Sequence, residues 1–238
     1  MKSKTLVFFR TCLILIGICY LLSVYRSWAY IESISKATGI LVFALFYFIH
    51  SKRKHVFFGS GLVCFALTEL PKVYFKFDYN VFSIYTNTLS ILGYLFFISY
   101  LFSHLNFKSL VRKYWLHVLF LVFISSYIVI NLNSIIFSGR GIPLFSSIYI
   151  IETLYNICIL GLMSLSFLNF LHHDDKRSFL IFIISIFFCL AEIIQVPFLF
   201  LANKNSLHIA YSLLNFSGYY FVYLYITTRY NKQLKVLH

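Results

Sequence analysis

Glu69 lies in the stretch 61–75, GLVCFALTELPKVYF, where almost every other residue is soluble in hydrocarbon. Glu152 and Glu192 stand in comparably apolar surroundings. Only seven residues of this chain are acidic. The other four, Glu32, Asp78, Asp174 and Asp175, fall in or near the connections between apolar stretches. An ionisable side chain inside such a stretch costs several kcal/mol in a bilayer and by default marks a functional site. Burial favours the protonated form of a carboxyl, and a second acid nearby favours it further. Of two buried carboxyls, one can therefore donate a proton while the other carries charge. That division of labour serves acid-catalysed cleavage through an oxocarbenium-like state. It serves a proton-coupled carrier equally well.

These acids must be positioned by membrane-spanning helices. The chain is 61% hydrophobic and only 11% charged, with a mean hydropathy of +0.84. A soluble domain carries roughly 25% charged residues, so lipid is the solvent for most of this surface. Aromatic residues make up 21% of the chain, and most are Phe or Tyr, as suits lipid-facing helices with interfacial tyrosines. With about 20 apolar residues needed per span, the sequence predicts an all-α, polytopic integral membrane protein of eight helices. Their bounds are about 5–24, 34–50, 55–71, 81–104, 117–137, 145–171, 178–202 and 206–228. The whole chain, 1–238, reads as a single transmembrane domain. Spans three and seven run the same way, and each carries an acid followed by proline (Glu69/Pro71, Glu192/Pro197), which fits a duplicated four-helix unit.

The net charge of +13 is sorted by side. Basic residues crowd the start of the chain, 51–55 (SKRKH), 106–115 (NFKSLVRKYW), 172–177 (HHDDKR) and the tail 229–238. The alternate connections hold only Arg26, Lys72, Lys76, Arg140 and Lys204. Positive charge in alternate short loops marks the cytoplasmic side, so both termini are expected there, in a multi-pass protein of the cell membrane. Trp28 and Trp115 then fall at opposite interfaces. No basic segment is interleaved with stacking aromatics outside the spans, which argues against nucleic acid as a partner. Arg10 interrupts the first apolar run, and no small-x-small site follows it, so this run reads as a span rather than a signal peptide. The five cysteines lie within spans without a CxxC pair and read as small apolar residues. No metal or cofactor is called for. HHDDKR is too compact for its side chains to converge on one ion and reads as a solvated loop. GxSxG and HExxH signatures are absent from the sequence.

Depth brings the acids together. Glu69 and Glu192 each lie about 14 residues from the basic end of their spans, roughly 21 Å at the helical rise. Glu152 lies about seven residues in from the opposite end, roughly 10 Å. In a hydrocarbon core about 30 Å thick these positions nearly coincide, in the outer half. Asn87, Ser90, Asn131, Asn156, Gln195 and Asn215 fall near the same level, and Lys36 is within reach as a counter-charge. His208, at the outer edge of the last span, faces either the same cavity or lipid headgroups. The expectation is a polar cavity opening toward the outer leaflet half. The competing reading is that these groups hydrogen-bond one another to hold helices together.

The segments ISKATGILVFALFYF (34–48), GLVCFALTELPKVYF (61–75), TLSILGYLFFISYLF (88–102), FLIFIISIFFCLAEIIQ (179–195) and IAYSLLNFSGYY (209–220) resemble, in order, the spans of the YhhN family. Those are eight-span membrane proteins, some of which are lysoplasmalogenases. The family's Thr-Lys-Pro is met by Ser35-Lys36-Ala37, its Gly-Asp by Thr68-Glu69 and its Ser-Asp by Ala191-Glu192. Its His in span four is met by Tyr94, and its Ala-Gln pair in span eight by Ala210-Tyr211. Both aspartates of the family pattern are thus glutamates here. The resemblance implies cofactor-independent hydrolysis of the vinyl-ether bond of a lysophospholipid, with Glu69 and Glu192 as catalytic acids. Lys36 and Tyr211 would then belong to the substrate-binding cavity, beside Asn87, Glu152, Asn156 and Gln195 from the depth analysis. A second reading, from another functional class, is a non-catalytic binder or carrier of a lipid or small cation using the same acidic layer.

Overall fold

The computed structural model describes residues 2–51, 55–74, 79–105, 107–140, 142–143, 146–201 and 204–228. Among them are nine α-helices and no strand: α1 (Lys2–Tyr25), α2 (Ala29–His50), α3 (Val56–Tyr74), α4 (Tyr79–Phe102), α5 (Phe107–Lys113), α6 (Trp115–Arg140), α7 (Ser147–His173), α8 (Lys176–Phe200) and α9 (Asn205–Thr227). Six are long and apolar enough to cross a bilayer: α1, α2, α4, α6, α7 and α8. The apolar part of α3 is shorter, Val56–Leu70. In α9 apolarity is diluted by Asn205, Ser206, His208, Ser212, Asn215, Ser217 and five tyrosines.

The helix ends follow local chemistry. Asp174, at φ 45°, closes α7 in the left-handed region that Asp tolerates better than most residues. Asp175 then opens α8 with a reciprocal capping box to Ser178. The two acids of HHDDKR thus build a tight corner. Ser146 caps α7 by accepting from the Tyr149 amide at 3.3 Å.

Among the differences from the sequence-based expectation, four have a clear local cause. The second span begins at Ala29, which puts Glu32 in its first turn, where an acid suits the helix dipole. The third runs past Pro71 to Tyr74. A proline one turn from a helix end removes a single intrahelical bond, which so short a remainder can tolerate. Part of the basic segment 106–115 forms α5, anchored by the fully buried Leu110. The sixth span continues to His173, ending at the Asp174 corner rather than near 171.

The helices pack in a closed circuit, α2–α3–α4–α7–α8–α9, with α9 returning to α2. Outside it, α1 covers the seam between α2 and α9, while α6 packs on α7 and α8. The pattern repeats in part, since α1 on α9 and α6 on α8 have no counterparts. Contacts α1·α2, α2·α3, α3·α4 and α4·α7 recur as α6·α7, α7·α8, α8·α9 and α9·α2. On that correspondence α3 matches α8, and so the helix of Glu69 matches the helix of Glu192. Close crossings use glycine, as membrane interfaces commonly do. A Cβ on Gly61 of α3 would meet the Gly93 carbonyl of α4 at 3.2 Å, and one on Gly139 of α6 would meet the Phe200 carbonyl of α8 at 2.1 Å. One end of the circuit is filled by aromatic packing: Phe58 lies 4.9 Å from Tyr47 and 5.0 Å from Tyr225, centroid to centroid. The other end is left for polar residues.

Candidate functional site: an acid-lined cavity within the helix circuit

A cavity of about 310 Å³ lies inside the circuit, lined by residues of α2, α3, α4, α7, α8 and α9. That is near the lower bound of typical small-molecule sites. Its wall toward Phe58, Leu62 and Val222 is apolar, while Lys36, Glu69, Asn87, Glu152, Glu192, Gln195, Tyr211 and Asn215 gather toward the other end. The antiparallel directions of the helices produce this sorting. Lys36 and Tyr211 sit early in α2 and α9, whereas Glu69 and Glu192 sit late in α3 and α8.

Lys36 holds the centre. Its Nζ lies 2.9 Å from Glu69 Oε1 and donates to the Tyr211 hydroxyl at 3.0 Å. The side chains of Lys36 and Glu69 are only 14% and 7% exposed, so the pair is largely removed from water. Such a pair survives burial because each charge is satisfied by a partner at contact distance. Glu152 occupies a separate corner, accepting from Asn87 Nδ2 at 2.7 Å and from the Ser83 hydroxyl at 3.1 Å. Glu192 is half-buried on the cavity wall. Tyr94, Tyr155 and Tyr211 line the same cavity. Tyr94 and Tyr155 are themselves joined hydroxyl to hydroxyl at 3.3 Å. Tyr211, which accepts from Lys36, lines the cavity together with Glu192.

Three residues expected at this level lie elsewhere. Asn156 is completely buried yet does not line the cavity, and neither its Oδ1 nor its Nδ2 has a hydrogen-bond partner. Four residues along a helix turn it about 40° away from Glu152, onto the strip of Leu160. Asn131 is exposed on α6, outside the circuit, and donates back to the Tyr127 carbonyl at 2.7 Å. His208 meets Glu32 at 2.9 Å and stacks on Phe198, off the cavity wall. Conversely, Ser83, Tyr155 and Tyr219 line the cavity without having stood out in the sequence. In a chain where one residue in five is aromatic, a tyrosine carries no signal of its own. Among the described residues no group of three or more His, Cys, Asp or Glu side chains is placed to hold a metal ion.

Fold and cavity together define a class, a multi-pass, all-helical membrane protein with a carboxylate-lined chamber at its centre. The chain matches no protein-family model, no curated protein and no solved structure.

Proposed function

We propose that this protein is a divergent YhhN-type hydrolase of the cell membrane, crossing it eight times with both termini in the cytoplasm. Its substrate is a lysophospholipid bearing a vinyl ether. One observation carries the reading: Glu69 and Glu192, from corresponding helices of the two halves, line one cavity together with Lys36. The YhhN resemblance singles out these same three residues.

The two acids divide the work. One carboxyl supplies the proton while the other carries charge. The first protonates the enol-ether carbon remote from oxygen, leaving an oxocarbenium ion that the second, as a carboxylate, stabilises. Water adds to the cationic carbon and returns its proton to the first acid. The resulting hemiacetal loses its alcohol, giving a long-chain aldehyde and a glycerophospho alcohol. No cofactor enters. A carrier of small cations fits less well, because Lys36 already neutralises one of the acids such a carrier would need.

The test is aldehyde release from a lysoplasmalogen by the purified protein in detergent. Glu192→Gln should lower the rate by about 100-fold or more, the scale of a lost general acid. No release by the wild-type protein, or an unchanged rate in Glu192→Gln, rejects the reading.

A further inference from the structure

Asn131 projects from the exposed face of α6, the least buried of the six helices long and apolar enough to cross a bilayer. At the helical rise it stands about 24 Å from Trp115 and about 14 Å from Arg140. That is well inside a hydrocarbon core about 30 Å thick, where no water is at hand to bind an amide. Its Nδ2 gives one N–H to the Tyr127 carbonyl of its own helix, at 2.7 Å. The second N–H and the Oδ1 find no partner among the described residues. Tyr127, Asn131, Ser134 and Ser138 follow one another at intervals of three and four, so they share one stripe of the helix, and all four are exposed. Toward the N-terminal end of α6 the same stripe holds Leu116, Phe120 and Phe123, which are apolar and exposed. Contact with lipid alone does not call for the polar half. On its inward side, polar residues of α6 serve a helix contact: Asn133 accepts from Thr153 at 3.2 Å, and Ser125 meets Ser164 at 3.3 Å, both on α7.

We infer that the outward stripe of α6 is the docking surface for a second copy of this chain, in a two-fold dimer whose axis runs along the membrane normal. Two copies inserted the same way carry Asn131 at the same depth. A two-fold axis then brings each amide against its own copy. An amide is its own complement. The second N–H of one copy donates to the Oδ1 of the other, and the reverse, so both groups that the chain itself leaves over are taken up. A different membrane protein would have to supply a matching donor and acceptor at that one level. Ser134 and Ser138 are small enough to let two backbones approach, as membrane helix interfaces commonly require. Because α6 packs outside the circuit, docking there covers its lipid-facing side and leaves the cavity walls in place. Self-association of this kind is independent of the chemistry inside the cavity.

The experiment reconstitutes full-length copies carrying a donor or an acceptor fluorescent domain at the C-terminus into phosphatidylcholine vesicles. Energy transfer is followed as the lipid-to-protein ratio rises, and it should fall along a monomer–dimer curve. Asn131→Leu should raise the dissociation constant about tenfold, the scale of interhelical hydrogen bonds in a bilayer. Asn131→Gln, which keeps the amide, should stay close to the wild-type curve. Position 131 faces away from the circuit, so neither variant disturbs packing within one copy. Ile18→Ala, on the exposed face of α1, should leave the curve unchanged. A second measurement uses single cysteines in a cysteine-free background under mild oxidation. Ser134→Cys should form a covalent dimer, and Ile18→Cys should not. Transfer no greater than chance proximity gives, or a curve that Asn131→Leu does not move, overturns the dimer. So does crosslinking through Ile18→Cys in place of Ser134→Cys, or a monomer that holds a different membrane protein on this stripe.

Discussion

Lys36 and Glu69 are useful to the fold only as a pair. Removing one member leaves the other charged in a site nearly closed to water, which costs about 3–5 kcal/mol for buried pairs. Replacing both by apolar residues of similar volume removes most of that cost. Lys36→Met and Glu69→Leu should therefore each destabilise the protein strongly in detergent, while the double variant recovers most of the loss. Thermal unfolding of the four proteins gives the coupling directly, and losses that simply add would show that the two charges do not depend on each other. Counting helical rise was enough to read this pair and Glu192 from sequence, because a charge is conspicuous in apolar surroundings. Rotation about the helix axis was less legible. Asn156 shares the depth of the cavity yet points away from it, and depth alone says nothing about azimuth. The phenols around Glu192 were hidden for the opposite reason, since their residue type is too common here to stand out.

Corners between helices carry their own energetics. The α1–α2 connection places Ser27 at φ 57°, a conformation that costs an L-residue with a Cβ roughly 1 kcal/mol or more. Ser27→Gly should raise the thermal midpoint by a few degrees without touching activity. At the α7–α8 corner, Asp175 accepts from the Ser178 amide at 2.6 Å. Asp175→Ala removes that cap and should cost about 1 kcal/mol, measured as a lowered midpoint in the same assay. These corners also show why the helix bounds shifted from those read off hydropathy. Apolarity reports where lipid begins, whereas a helix stops where its last carbonyls find a partner. For that reason α2 extends beyond its apolar run to Ala29, and α7 runs on to the Asp174 corner.

At the scale of the whole molecule the repeated contact pattern has a consequence for topology. The circuit returns α9 to α2, so helices on either side of each short corner alternate in direction. The corners α1–α2, α3–α4, α6–α7 and α8–α9 then share one end, and α2–α3, α4–α5–α6 and α7–α8 share the other. Lys2, Lys4, Lys108, Arg112, Lys113, Lys176 and Arg177 all belong to the second end, whereas the first keeps Arg26, Lys72, Arg140 and Lys204. The positive-inside rule predicts the richer end in the cytoplasm, and on that prediction the acid-lined part of the cavity lies nearer the outer face. Single cysteines in a cysteine-free background test this with a membrane-impermeant thiol reagent on intact cells. Ser27→Cys and Ser206→Cys should react from outside, and Ser103→Cys and Asp174→Cys only after permeabilisation. Reaction of Ser27→Cys and Asp174→Cys from the same side would break the alternation, and with it the eight-span proposal. A wholly reversed pattern would keep the spans but turn the cavity toward the cytoplasm. The lysophospholipid would then have to come from the inner leaflet.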